Sequence, residues 1–272
     1  MTSSVMNMHI KNGVPYMTFK ILDNIDFISS AVSTRHGGVS SEKSFSSLNL
    51  GLTTEDSWDN VLKNYHIFCS ATDFDIERLV LAKQTHSCNV MVADESHAGK
   101  GVLKERDYDN IDALITNKKN LPLVIHTADC VPVSFTDTKN KAIGNAHCGW
   151  RGTYGELAKK TLLEMSKEYG TNAKDVVVTI GPCICKDCYE VSEDLYLDFK
   201  EKFQYENCII KENSKFYLDL AKINKNILID AGVKEENISV CDLCTCCNTD
   251  DLFSHRGQGG RRGILSSVIS LI

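Results

Sequence analysis

Within positions 125–153, two residues able to bind a metal or attack an electrophile fall at the ends of expected strands. Cys130 falls in the turn Ala128-Asp129-Cys130, and His147 closes the apolar run that begins at Ala142. A thiolate and an imidazole presented by neighbouring strand ends are the start of a metal site built on rigid elements. With Asp129 beside them, the same pair could act as a thiol hydrolase, the cysteine attacking and the histidine serving as its base. Dependence on a metal separates the two chemistries. His86, at the end of the segment 79–85, is a third donor only if the fold brings it to Cys130 and His147. A lone histidine at a strand end is more often a hydrogen-bonded structural residue.

Anion chemistry has two further candidates. Arg35 precedes the pair Gly37-Gly38, a turn able to expose backbone N–H groups. Arg256 to Gly263 alternates arginine with glycine, so forked donors and close backbone approach could grip a phosphate. A plain turn and a surface loop are the competing readings. Twelve cysteines are many for this length, and two runs are dense: Cys183, Cys185 and Cys188, then Cys241, Cys244, Cys246 and Cys247. Their spacing resembles structural zinc or iron–sulfur sites. Reduced thiols acting as small hydrophobes are the alternative.

The elements that must position these residues are legible in outline. Positions 124–125 and 131–135 are β-branched and aromatic, so two buried strands flank Cys130. Pro132 lacks a ladder donor and belongs at a strand start, an edge or a bulge. An amphipathic helix is expected over about 155–169. Upstream, a β-hairpin turning near Asp23-Asn24 is expected, then an extended segment 47–52 and a helix over 56–72. Strands are expected at 79–82, 89–93, 109–116, 175–180, 216–220 and 238–240, with helices over 192–202 and from Asp219, as cap, to about Ala231. Several strands follow one another directly, so the expected fold is α+β: a single layered α/β domain with a mixed β-sheet spanning residues 1–272.

The balance of the chain excludes several classes. A net charge of −6 with no lysine–arginine block argues against a nucleic-acid surface, although not against a small anion held by a few arginines. No apolar run approaches the ~18 residues of a membrane span. The N-terminus lacks a basic stretch followed by an apolar one, so a cytoplasmic location is expected. Disulfides are a poor first reading of the cysteines in that compartment.

Six segments in order carry a resemblance: STRHGGVS at 33–40, SSLNLGL at 46–52, HTADCVPV at 126–133, NAHCGWRGT at 145–153, GPCIC with CYEV across 181–191, and the tail Cys244-Thr245, Phe253-Ser254, Arg256. Together they resemble the YfiH/LACC1 family, once labelled multicopper polyphenol oxidases or laccases, over almost the whole chain. The resemblance implies a YfiH/CNF1-like fold and a zinc-dependent purine nucleoside phosphorylase. It would cleave adenosine, inosine and S-methyl-5′-thioadenosine with phosphate and could deaminate adenosine. The implied metal ligands are His86, Cys130 and His147, holding one Zn2+ per chain. Departures are small: Cys148 stands where the family has alanine, and the family's T-G-R reads Gly259-Gly260-Arg261 here.

Three protein ligands leave zinc one open position, which makes such a site catalytic. A multicopper centre needs many more histidines than the eight present, but the set could hold one Cu2+. Arg35, Arg151 and the Arg261-Arg262 loop are the expected phosphate and transition-state contacts, with Arg261 in the family's place and Arg262 as the alternative. Asn49 and Glu190 are expected at the substrate, and Asp129 as a proton carrier or a residue orienting a ligand. Purine nucleosides and phosphate are then the partners, with a homodimer left open. A laccase, a thiol hydrolase and a metal-binding protein without turnover remain the competing functions.

Overall fold

The computed structural model describes residues 1–52 and 55–272. Strands β1 (Met6–Lys11), β2 (Val14–Phe19) and β3 (Ile28–Ser33) precede helix α1 (Trp58–Thr72). Then come β4 (Val80–Leu81), β5 (Val90–Val92), β6 (Ala113–Thr116), β7 (Leu123–Thr127), β8 (Val131–Asp137) and β9 (Ala142–Cys148). Helices α2 (Trp150–Tyr154) and α3 (Leu157–Tyr169) follow, then β10 (Val176–Ile180), β11 (Glu190–Val191) and α4 (Glu193–Lys202). The chain ends with β12 (Ile209–Glu212), β13 (Lys215–Leu218), α5 (Leu220–Asp230), β14 (Ile238–Val240) and β15 (Leu265–Leu271).

The strands divide between two six-stranded sheets, ordered β1-β2-β3-β15-β7-β4 and β14-β10-β8-β9-β6-β5, with a small sheet of β11, β13 and β12 beside them. Both large sheets are mixed. Among the named strands of the described residues, the parallel pairs are β4 with β7, β5 with β6, and β10 with β14. The α+β class expected from the sequence holds, but one mixed sheet becomes two stacked ones.

Side-chain alternation explains the stacking. Leu81, Val124 and Val268 face α1, packing on Val61, Tyr65 and Phe68. Their strand neighbours Val80, Leu123, Ile125 and Ile269 face the other way, onto Leu114 and Ile143 of the second sheet. Ala113, Ile115, Ala142 and Ala146 on that sheet then face Leu162 and Met165 of α3 and Ile223 and Ile227 of α5. The order is helix, sheet, sheet, helix, so the central strands of both sheets are packed on both faces. Asn145 is buried between the sheets and ties them: its Nδ2 donates to Leu123 O at 3.0 Å and Ser267 O at 2.9 Å.

A hairpin that the sequence reading did not anticipate precedes the expected one, turning at Asn12-Gly13 with Lys11 opposite Val14. Both turn residues have positive φ, 53° and 78°. That is the two-residue turn whose twist matches a hairpin, and Asn-Gly favours it. The expected hairpin through Asp23-Asn24 is the antiparallel pair of β2 with β3, whose connection also carries a 3-10 turn, Lys20–Leu22. The helices near 56–72, 155–169 and 192–202 form close to the expected bounds, and Asp219 caps α5 by accepting from Lys222 N.

Candidate metal centre

The chain crosses between the large sheets at several points, and two crossings carry metal-binding side chains. β4 lies in the first sheet and β5 in the second, and His86 lies in the connection between them. β7 lies in the first sheet and β8 in the second, with Cys130 in the tight turn between. His147 is on β9, paired with Pro132 of β8, so the β8–β9 ladder sets it beside Cys130. Pro132 occupies the second position of β8, where the strand begins.

His86, Cys130 and His147 converge: one donor atom from each lies within 4.8 Å of the others. The two imidazole rings have centroids 4.9 Å apart. Gly149 leaves the room they need. A Cβ built there would come within 2.9 Å of His86 Nδ1 and 3.0 Å of Cys130 Sγ. Convergence of two imidazoles and one sulfur without intervening bulk fits a single tetrahedral ion.

Asp112 organises both histidines. It is fully buried. Its Oδ1 lies 2.8 Å from His147 Nδ1 and accepts from the His86 backbone N–H at 3.1 Å. Oδ2 accepts from the N–H groups of Thr85 and Ser87 at 3.0 and 2.7 Å. Three consecutive amides can converge on one carboxylate because His86 adopts a left-handed backbone, φ 62°. Burial by itself would raise the Asp112 pKa, but the hydrogen bonds from His147 and these amides hold it below the usual carboxylate range. A carboxylate on Nδ1 fixes the ring and leaves Nε2 for a metal.

Burial and the neighbouring His147 lower the His86 pKa, keeping that imidazole neutral. For His147 burial also disfavours the charge, yet the Cys130 sulfur and Asp112 outweigh it and raise the pKa to about 9. A metal would displace that proton on binding.

The connection holding His86 is also tied to the strand leading to Cys130. Gln84 Nε2 donates to His126 O, and Gln84 Oε1 accepts from His126 N, each at 2.8 Å. The three donors line a cavity of about 320 Å³ shared with Gln84, His126, Lys83, Arg106 and Arg262. The His126 ring lies 2.6 Å from Tyr65 Oη, and burial lowers its pKa to about 3, so it is neutral. The Arg262 guanidinium is half-buried and its Nε has no hydrogen-bond partner among the described residues.

A family model described as multi-copper polyphenol oxidoreductase laccase matches residues 29–272. The chain belongs to this laccase-like family. It is 33% identical to a purine nucleoside phosphorylase, YlmD, of Bacillus subtilis (strain 168) over 246 residues, 88% of this chain and 87% of that protein. It is 32% identical to an adenosine deaminase, RL5, of an unknown prokaryotic organism over 251 residues, 89% of this chain and 95% of that one. The crystal structure of Bacillus licheniformis hypothetical protein YfiH covers 97% of this chain and 99% of its own, with a TM-score of 0.90 and 27% identity.

The other residues singled out from the sequence lie in varied places. Asp129 has φ 92° and turns its carboxylate away from the cavity, accepting from the Thr245 hydroxyl and the Arg256 N–H at 2.6 Å each. Arg35 donates to the carbonyls of Ser46, Lys43 and Thr249 and lies over the Phe253 ring, so it braces two loops. Arg151 stacks on its neighbour Trp150, 4.1 Å from the ring centre. Asn49 is buried, with Oδ1 accepting from Gly51 N and Ile264 N at 3.0 Å. Glu190 is exposed and pairs with Lys215 at 2.7 Å. Arg261 faces out, toward Glu42 and Glu55, while its neighbour Arg262 lines the cavity.

Asp112, His126 and Arg106 are the site features that sequence reading passed over, and Arg262 is the one of the arginine pair that reaches the cavity. Asp112 carries a signal: it is a carboxylate between Ile111 and Ala113 at the start of an apolar run, and a buried charge there needs partners. Among the described residues, no helix is long and apolar enough to cross a membrane.

Proposed function

We propose that this chain is a zinc-dependent purine nucleoside phosphorylase, cleaving adenosine, inosine and S-methyl-5′-thioadenosine with phosphate at the His86–Cys130–His147 site. The names carried by its relatives support an enzyme acting on purine nucleosides. One observation favours phosphorolysis within that class. Lys83, Arg106 and Arg262 line the cavity with the three donors, and no carboxylate lines it among the described residues. Such a lining suits an anionic co-substrate. It offers little to adenosine deamination through a free carboxylate, the route that zinc deaminases use. A deaminase side activity would have to move its proton through a histidine.

A bound zinc would supply Lewis acidity and one open coordination position. The chain's own residues do the remaining work. Arg262 presents its donors to phosphate, and Arg106, whose Nη1 donates to Ala82 O at 2.9 Å, braces the rim. A phosphate oxygen forms its bond to C1′ as the bond from C1′ to the purine nitrogen breaks, and the departing purine takes a proton. His126, neutral and held against Tyr65, is placed to hydrogen-bond a base. Zinc is favoured over a blue-copper centre because no methionine lines the cavity among the described residues to serve as a weak axial ligand.

The test is to incubate metal-analysed protein with each nucleoside, with and without phosphate, and to resolve the products by chromatography. Free base and ribose 1-phosphate (or its 5-methylthio analogue) appearing only with phosphate, and lost on chelation, is the expected result. Inosine formed from adenosine without phosphate would make the deaminase the main activity. Turnover that survives metal removal but is blocked by thiol alkylation would move the assignment to a cysteine hydrolase.

A further inference from the structure

A second group of four cysteines lies apart from the site above. Cys185, Cys188, Cys244 and Cys247 bring their sulfurs within 4.8 Å of one another, and Cys188 Sγ is 3.4 Å from Cys247 Sγ. We propose that these four thiolates form a structural zinc site that clips together the loops following β10 and β14.

The sequence supplies two C-x2-C turns, and the fold sets them face to face. β10 and β14 are parallel neighbours, with Val178 opposite Ile238, so the loops leaving them emerge on the same side. Cys183 pairs with Cys244 across those loops, and Thr245 N donates to Cys183 O at 3.0 Å. Each turn is closed by its own backbone: Cys188 N donates to Cys185 O at 3.1 Å, and Asn248 N to Cys244 O at 3.2 Å. The Cys185 N–H points at Cys244 Sγ, 3.2 Å away, the contact that steadies a metal-bound thiolate.

Distances select the occupant. A tetrahedral ion with Zn–S bonds of ~2.3 Å sets its sulfurs ~3.8 Å apart. The 3.4 Å between Cys188 and Cys247 and the 4.8 Å limit on the other pairs are compatible with that edge. An iron–sulfur cluster places several irons and sulfides between its thiolates and needs a wider opening. A disulfide requires ~2.05 Å, well short of the gap between Cys188 and Cys247. On binding, four thiols release four protons and four S–Zn bonds form, with no change of oxidation state. Four protein donors close the coordination shell, so the ion would hold structure and take no substrate.

The clip would bear on the first site through Asp129, the residue before Cys130. Ile184 N donates to Asp129 O at 2.9 Å, and the Thr245 hydroxyl and Arg256 N hold its carboxylate. Arg256 also donates to the carbonyls of Cys188 and Glu190 at 3.1 Å each.

The test counts metal in the full chain and does not depend on turnover. Protein purified with reductant and then freed of it without air is analysed for zinc, alongside the double variant Cys188→Ser, Cys247→Ser and the single variant Cys130→Ala. Two zincs in the parent and one in each variant is the expected result. Cobalt loaded into Cys130→Ala should then show the intense sulfur-to-metal absorption of a four-thiolate site. A parent with one zinc, lost in Cys130→Ala and unchanged in the double variant, would overturn the proposal. So would iron at this position, or a Cys188–Cys247 disulfide found by mass spectrometry in that reductant-purified parent.

Discussion

The two cysteine-bearing sites are built on opposite plans. His86, Cys130 and His147 come from three separate segments at the junction of the two sheets, and their alignment depends on Asp112 behind them. The four-cysteine group comes from two local turns on adjacent strands and orders its ligands mostly through its own backbone. Three donors facing a cavity leave a metal exposed to reactants, whereas four donors of one kind close it off. With both proposed metals bound, one chain would use cysteine both to keep a coordination position open and to fill the last one.

That contrast predicts opposite responses to mutation, and Cys130→Ala should give the largest effect. It removes the only sulfur donor of the open triad, so that site's metal and nucleoside turnover should both be lost, turnover falling to background. The thermal transition should stay cooperative, because Cys130 lies in a turn and is only partly buried. Metal analysis with product chromatography checks it. Full turnover with the metal retained would sink the assignment of this site. Parallel loss of the metal bound by Cys188 and Cys247 would show instead that the two sites are one coupled unit.

Legibility in the sequence follows the same division. The two C-x2-C pairs are visible as spacing because each pair is local, though spacing cannot tell that the pairs meet. Cys130 and His147 are also visible, since they lie at the ends of apolar runs that the β8–β9 ladder brings together. His86 shows only a histidine after a strand, and its place depends on a crossing between sheets that no local pattern encodes. The hairpin at Asn12-Gly13 had a clear turn signal, and Met6 to Lys11 alternates apolar and polar residues as a strand does, so this element was legible and was passed over. Arg261 and Arg262 are adjacent in a loop and face opposite ways, which loop geometry decides and residue type does not. Asp129 sits beside a ligand in sequence, yet its left-handed backbone sends its carboxylate to Thr245 and Arg256.

Asp112→Asn should give the next largest effect and sharpen the contrast. Asparagine keeps one acceptor oxygen but replaces the other with a donor. It must then forfeit either the His147 and His86 contacts or those to Thr85 and Ser87. Loss of such a carboxylate behind a ligand typically costs ~10–100-fold in metal affinity or activity. Competition against a chromogenic chelator should show that loss at the open site alone. Equal weakening at the four-cysteine site, which Asp112 does not touch, would mean that the variant had merely loosened the fold.

The smallest effect should come from Gly149→Ala. Gly149 precedes α2 with φ −62° and ψ 178°, a backbone that alanine adopts freely, so the fold gains no strain from the change. The added methyl instead reaches the ligands, 2.9 Å from His86 Nδ1 and 3.0 Å from Cys130 Sγ. Both neighbours are side chains and can yield by a few tenths of an ångström, which tilts the triad without dismantling it. Displacements of this size in a preorganised site weaken function before stability. A several-fold weaker open-site metal affinity with an unchanged melting temperature is therefore expected, from chelator competition and calorimetry on the same protein. An unchanged affinity would show that the donors approach the ion from the side away from Gly149, and would relocate the open coordination position to the face this glycine covers.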